Sequence, residues 1–130
     1  MIVRTSGVRL EIVENLVRNK SKHIIETDIN DYMMRRRKHF ADYDIDMKHF
    51  TPFQRRVLGE MRRIPYGMTV SYKRLAELVG KPQAYRAVAN VCAMNPLPVV
   101  IPCHRVVGSN SLGGYSSGLD VKKKLLRLER

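Results

Sequence analysis

The sequence predicts an α+β chain: a short N-terminal α/β lobe over residues 1–50, then a mostly helical, winged helix-turn-helix-like domain over residues 51–130 that carries the active site. Three observations lead there. After Thr51, apolar residues recur at helical spacing in four separate segments. The extended stretches between them are short and broken by proline, which cannot sustain a regular ladder. Before Thr51 the chain carries dense charge runs and no proline, a different texture from the remainder of the chain.

Within the first lobe, Ile2-Val3 and Val8 to Val13 give strand or mixed signals, and Asp28 or Asn30 could cap a helix running toward His39. From Thr51 the reading sharpens. Thr51-Pro52 is an N-cap followed by proline at the first helical position, and Phe53, Val57, Leu58 and Met61 come after it at helical spacing, giving a helix of about 12 residues. Ile64-Pro65-Tyr66-Gly67 is a turn, and Met68-Thr69-Val70 a short extended piece. Ser71 caps a second helix with Leu75, Ala76, Leu78 and Val79 on one face, which stops at Gly80. A third helix, about Pro82 to Met94, places Ala84, Val88, Val91 and Cys92 inward. Helix, glycine-containing turn and helix together form the helix-turn-helix pattern. The run from Asn95 to Gly108 reads as an irregular buried connection presenting Cys103 and His104, with a Gly- and Ser-rich loop after it to Gly118. A last amphipathic helix over Leu119 to Glu129 turns Leu119, Leu125, Leu126 and Leu128 inward.

The chain has 130 residues, enough for one full domain and a small accessory lobe. Twenty-four Lys and Arg against 12 Asp and Glu leave a formal charge of +12, which points to a polyanionic partner, although basic chains also occur in hot or salty cytoplasm. Charge alone does not separate DNA from RNA. The two cysteines, Cys92 and Cys103, do not read as a disulfide framework, and reduced cytosolic thiols are expected. No stretch approaches the ~18–20 apolar residues that span a bilayer, so a cytoplasmic protein with no membrane partner is expected.

Cys103 and His104 are adjacent, with Pro102 and a Val99 to Ile101 run before them. A thiol reacts as its thiolate and needs a base or a positive charge nearby; His104 could take the proton, directly or through water, and Arg105 could add positive potential. A carboxylate is then expected behind the imidazole, with Glu129 the candidate. On residue type alone a Cys beside a His in a Val-rich run is more often a packed thiol, and spacing leaves both readings open.

The run Ile101-Pro102-Cys103-His104-Arg105-Val106-Val107, with Asn95-Pro96 before it and Gly114-Tyr115-Ser116 and Gly118-Leu119 after it, resembles the active-site signature of the O6-alkylguanine-DNA alkyltransferase family. Ile64-Pro65-Tyr66-Gly67 through Ser71-Tyr72, and Ala84 through Val88 around Arg86, extend the resemblance over about residues 51–129.

The resemblance implies irreversible, stoichiometric transfer of an alkyl group from O6-alkylguanine, and from O4-alkylthymine, to Cys103, with no cofactor. It implies that His104 is the water-linked base, Glu129 the carboxylate behind it, Asn95 the brace of the active-site turn, and Tyr72 the donor of a proton to the departing guanine. Tyr115, Ser116 and Ser117 would wall the pocket, with backbone carbonyls near Cys103 and Val106 reading the exocyclic amine. Arg86 would fill the stack left by the extruded nucleotide, with Ala84, Ala87 and Ala89 letting their helix approach the minor groove of double-stranded DNA. Two departures bear on pocket width: Tyr85 is bulkier than the small residue common beside that Arg, and Ser117 stands where some members have Gly. No structural zinc is expected, since the first lobe lacks a Cys/His cluster, and a monomer is expected. Two other readings compete: a DNA-binding protein that senses alkylguanine without transfer, whose known relatives replace the Cys, and a cysteine hydrolase built on Cys103 and His104.

Overall fold

The computed structural model describes residues 10–130. Two helices come first, α1 (Leu10–Leu16) and α2 (Lys22–Met33). The hydroxyl of Ser21, not of a later residue, caps α2 by accepting from the Ile24 amide at 3.2 Å. This overturns the expected cap at Asp28 or Asn30, both of which lie inside the helix. The carboxylate of Asp28 is occupied instead by the Tyr43 hydroxyl at 2.7 Å. Nor does α2 reach His39: it ends at Met33, and Arg35 takes a φ of 63°, left-handed backbone that breaks the run before the basic stretch. The stretch from Val8 to Val13, read as a strand or mixed signal, is helical from Leu10 onward; Ile2-Val3 and Val8 lie outside the described residues. Among the described residues, extended pairing in this lobe is a single antiparallel bridge, Val17 to Ile45.

Helix α3 (Pro52–Arg62) starts as expected, and its capping box is reciprocal: the Gln54 amide donates to Thr51 Oγ1 at 3.1 Å while the Thr51 amide donates to Gln54 Oε1 at 3.0 Å. It buries Val57, Leu58 and Met61. A turn closed by the Met68 amide on the Pro65 carbonyl leads to β1 (Val70–Ser71), which pairs in parallel with β2 (Val106–Val107) in the register Val70 to Val106.

Ser71 caps α4 (Tyr72–Leu78) by accepting from the Arg74 amide at 2.9 Å. The helix closes in a Schellman arrangement, in which the Gly80 amide donates to Glu77 O and the Lys81 amide to Ala76 O. That closure requires Gly80 at a φ of 77°, where a side chain would be strained. Leu78, expected on the inner face, is 45% exposed, because it lies off the stripe set by Leu75, Ala76 and Val79. Helix α5 (Tyr85–Met94) begins later than Pro82, since Pro82 to Ala84 are held in a turn by the Ala84 amide on Lys81 O.

Helix α6 (Leu119–Leu128) also differs from expectation. Leu119 is exposed, and the inward stripe is Lys122, Leu125 and Glu129, with Val121 and Leu128 partly covered. The hydrophobic pattern pointed elsewhere because two of the three buried positions are charged. One apolar cluster runs from Val13, Ile25, Ile29 and Tyr32 through Val57, Leu58, Leu75 and Val88 to Ile101 and Leu125. Residues 10–50 therefore share their core with the rest.

Candidate active site

The proline-rich segment after α5 is irregular, and a single side chain braces it. Asn95 donates through Nδ2 to the Ile101 carbonyl at 2.8 Å and accepts from the Leu97 amide at 3.0 Å, folding the segment back on itself. The Ile101 amide closes a turn on Leu97 O, and Val99 sits at a φ of 75°, unusual for a β-branched residue. A 3-10 turn, Cys103–Arg105, comes directly after and is buried throughout.

Cys103, 4% exposed, lies in a cavity of about 380 Å³ lined also by Tyr72, Ala89, Cys92, Tyr115 and Ser116. Tyr72 and Tyr115 come from α4 and the Gly-rich loop, and Ala89 and Cys92 from α5, so the site lies where these elements converge. The Gly114 amide donates to the Tyr72 hydroxyl at 3.3 Å. Gly113 passes so close that a Cβ there would lie 2.5 Å from the Tyr72 oxygen, at a φ of 71° that itself favours glycine. A larger cavity of about 630 Å³, rimmed by Lys38, Arg55 and Arg63, touches Pro102 and Arg105 but does not include Cys103.

Behind the thiol, His104 is completely buried. Its Nε2 lies 2.7 Å from Glu129 Oε2, and its Nδ1 has no partner among the described residues. With Nε2 committed to a carboxylate, the proton belongs on Nε2, and Nδ1 is the free lone pair that can accept one. Glu129 gathers five hydrogen bonds: Oε2 accepts from His104, from Arg105 Nη2 at 2.8 Å and from the Tyr32 hydroxyl at 2.5 Å, while Oε1 accepts from Arg105 Nε at 2.9 Å and the Gly67 amide at 3.1 Å.

Burial alone would raise the Glu129 carboxyl. The bonds from His104 and Arg105 outweigh it and hold the group well below the usual carboxylate range. Burial pushes His104 down, against the pull of Glu129, so the imidazole rests neutral.

One expectation about the thiol changes. Arg105 was expected to lend it positive potential, but its guanidinium is held by Glu129 and by the Ile64 carbonyl at 2.7 Å. The cation that acts on the sulfur is Lys122, fully buried on α6, whose ammonium donates to Val106 O at 2.7 Å, to Gly114 O at 3.0 Å and to Leu112 O. Burial raises Cys103 above its ordinary value, with Asn95 and Lys122 pulling the other way. The resting sulfur is therefore a thiol, and ionising it needs the His104 lone pair. Cys92 is pushed up to about 12, chiefly by burial, which leaves it inert.

The structure thus brings together Cys103, His104, Glu129, Asn95, Tyr72, Tyr115 and Ser116. Val106 is not in the cavity lining: it sits in β2, and its carbonyl, expected to read a base, receives the Lys122 ammonium. Ser117 lies outside the Cys103 cavity, in a neighbouring pocket with Asn95 and Pro96. Arg86 and Ala87 are exposed on α5 and Ala84 is half-buried at its start, all away from the thiol cavity lining. Sequence reasoning missed Tyr32 and Lys122. Tyr32 carried no local signal, and Lys122, the first of the run Lys122-Lys123-Lys124, was distinguished from its neighbours only by its place three residues before Leu125 on the inward stripe of α6.

Residues 52–130 match the family model for the DNA-binding domain of 6-O-methylguanine DNA methyltransferase. The chain belongs to this family. It is 43% identical over 102 residues to a probable methylated-DNA--protein-cysteine methyltransferase of Acanthamoeba polyphaga mimivirus, covering 78% of this chain and 68% of the relative. It is 52% identical over 80 residues to the methylated-DNA--protein-cysteine methyltransferase of Methanosarcina barkeri, covering 61% and 51%. Among solved 6-O-methylguanine DNA methyltransferase structures, Mycobacterium tuberculosis OGT in complex with DNA superposes with a TM-score of 0.73 at 36% identity, covering 81% of this chain and 63% of that one. The chain thus spans about half to two thirds of the length of these relatives. No group of three or more His, Cys, Asp or Glu among the described residues could hold a metal ion, and no helix among them is long and apolar enough to cross a membrane.

Proposed function

We propose that this chain repairs DNA by direct reversal, moving the alkyl group of O6-alkylguanine, and of O4-alkylthymine, onto its own Cys103 in a single turnover. The observation that carries this reading is a buried thiol opening into a base-sized cavity, next to an imidazole whose other nitrogen is fixed on a carboxylate. Family membership and a neighbour solved with DNA support it.

The Cys103 proton passes to His104 Nδ1, through a water where the two do not touch. The thiolate then attacks the alkyl carbon, forming an S–C bond as the C–O6 bond breaks. Tyr72, which burial keeps protonated, gives its proton to a guanine ring nitrogen, so no purine anion has to leave. The His104 imidazolium restores that proton to the phenolate through solvent, and Glu129 stabilises the imidazolium in the interval. Lys122 stabilises the thiolate and holds the 112–114 backbone against the cavity, with Tyr115 and Ser116 as walls and Asn95 fixing the turn before the sulfur.

The target base is inaccessible in a duplex, so it must be flipped, at a cost of a few kcal/mol. Helix α5, as the second helix of a helix-turn-helix unit, approaches the minor groove through Ala84 and Ala87, and Arg86 enters the vacated stack. The loop after β2 serves as the wing. Residues 1–50 act as an accessory lobe to the 51–130 DNA-binding and alkyl-acceptor domain, and the protein works as a cytoplasmic monomer.

The deciding experiment is the intact mass of the protein after incubation with a duplex carrying O6-methylguanine. A gain of one methyl per chain, abolished in Cys103→Ser with binding retained, supports the reading. Binding without mass gain supports a sensor, and turnover beyond one equivalent a hydrolase; either defeats it.

A further inference from the structure

We infer that Tyr32, contributed by the first fifty residues, is a positioning residue of the Cys103 relay, so that the N-terminal lobe sets the basicity of the group that ionises the thiol. The inference rests on the proposed alkyl transfer and concerns the same site.

Tyr32 lies on α2, outside the stretch that matches the family model, and is fully buried. Its hydroxyl donates to Glu129 Oε2 at 2.5 Å and stands 3.3 Å from His104 Nε2. One carboxylate oxygen therefore receives the imidazole and the phenol together. The Tyr32 ring packs at an angle on Tyr66, Phe40 and the His104 imidazole, with centroids 6.1–6.5 Å apart, which leaves the hydroxyl little freedom to turn away.

Glu129 is faced by His104 and Arg105 from the 3-10 turn, Tyr32 from α2 and the Gly67 amide. The Tyr66 hydroxyl and the Arg35 guanidinium reach only the neighbouring Leu128 carbonyl. Lys122 and Arg105 act on His104 through their charge. Of these, Tyr32 is the neutral side-chain donor on the oxygen that His104 uses. A phenol on that oxygen drains charge from it and competes with the imidazole, so it weakens the hold of Glu129 on an imidazolium. The relay is thereby tuned so that His104 stays neutral in the resting state and still accepts a proton when the thiol gives one up.

Tyr32→Phe removes the hydroxyl and keeps the ring. Two readouts apply to the full chain: the pH dependence of methyl transfer from O6-methylguanine duplex, and the pH dependence of iodoacetamide alkylation at Cys103, resolved from Cys92 by peptide mass. Freed of the phenol, Glu129 favours the imidazolium, so the acid limb of both profiles should move up by about half a pH unit or more. Tyr66→Phe, which loses a bond to a backbone carbonyl beside the same carboxylate, should leave both profiles in place. A Tyr32→Phe profile superimposable on wild type, or an equal displacement in Tyr66→Phe, overturns the inference. Should the wild-type chain fail to take a methyl group, the proposed function falls, while the iodoacetamide profile still decides the role of Tyr32.

Discussion

His104 Nε2 and Glu129 Oε2 are 2.7 Å apart, with side chains 0% and 1% exposed, so the proton between them is shielded from bulk solvent. The pair fixes which imidazole nitrogen faces the thiol. Glu129→Gln removes the charge and lets an amide present the wrong group to Nε2. Transfer should slow by ~10²-fold or more, on the precedent of triads whose acid is replaced by its amide. Breaking a buried ion pair on one side also strands Arg105, so denaturant unfolding should report a loss of ~3–5 kcal/mol. A variant of wild-type rate would mean the pair is only structural.

The same two groups contribute to the pH dependence of stability. His104 is held below its ordinary value in the folded state, so its contribution is complete above the unfolded pKa of about 6.5 and is lost as pH falls from there. Glu129 is also depressed, so its share is present above about 4.3 and lost below it. Unfolding midpoints should therefore decline gently below about pH 6.5 and steeply below about pH 4.3. A flat profile between pH 7 and pH 3 would contradict both shifts.

Lys122→Met should orphan the three carbonyls that the ammonium now serves and cost ~2–4 kcal/mol in unfolding free energy. Removing the cation beside the sulfur should also raise the Cys103 pKa. Site-resolved alkylation against pH would show the thiolate limb moving to higher pH, and an unmoved limb would remove Lys122 from the chemistry.

Gly113→Ala places a Cβ 2.5 Å from the Tyr72 oxygen at positive φ. The loop or the ring must move, and either change spoils the alignment of the proton donor. Stability should fall by ~1–3 kcal/mol and transfer should slow, as single-turnover kinetics would show.

Arg86 is exposed on α5, so Arg86→Ala should alter unfolding by no more than ~0.5 kcal/mol. Repair of duplex substrate should slow while reaction with free O6-benzylguanine is unchanged, since only the duplex requires extrusion. Equal effects on both substrates would refute the role in flipping.

The helices after Thr51 were legible because their caps are written in short motifs: Thr51-Pro52, Ser71 and Gly80 all act as read. The helices before it were not, because Ser21 gave a weaker cue than Asp28 and Asn30 farther along, and those are spent inside the helix. Cys103, His104 and Glu129 were readable from the resemblance and do lie together, whereas Tyr32 and Lys122 enter through contacts 97 and 16 residues long in sequence, Tyr32 to Glu129 and Lys122 to Val106. Burial of a charged or hydroxylated side chain is a tertiary outcome, and periodicity scores it as a surface position. For that reason Leu119 was placed inward and Lys122 was not.

One ammonium gripping Val106, Leu112 and Gly114 ties a strand end and a loop without regular structure to a single point on α6. That side of the cavity is thereby pinned in place. On the proposed chemistry, a bulkier adduct on the sulfur would have to find its room toward Ser116, on the side of the cavity that this ammonium does not hold.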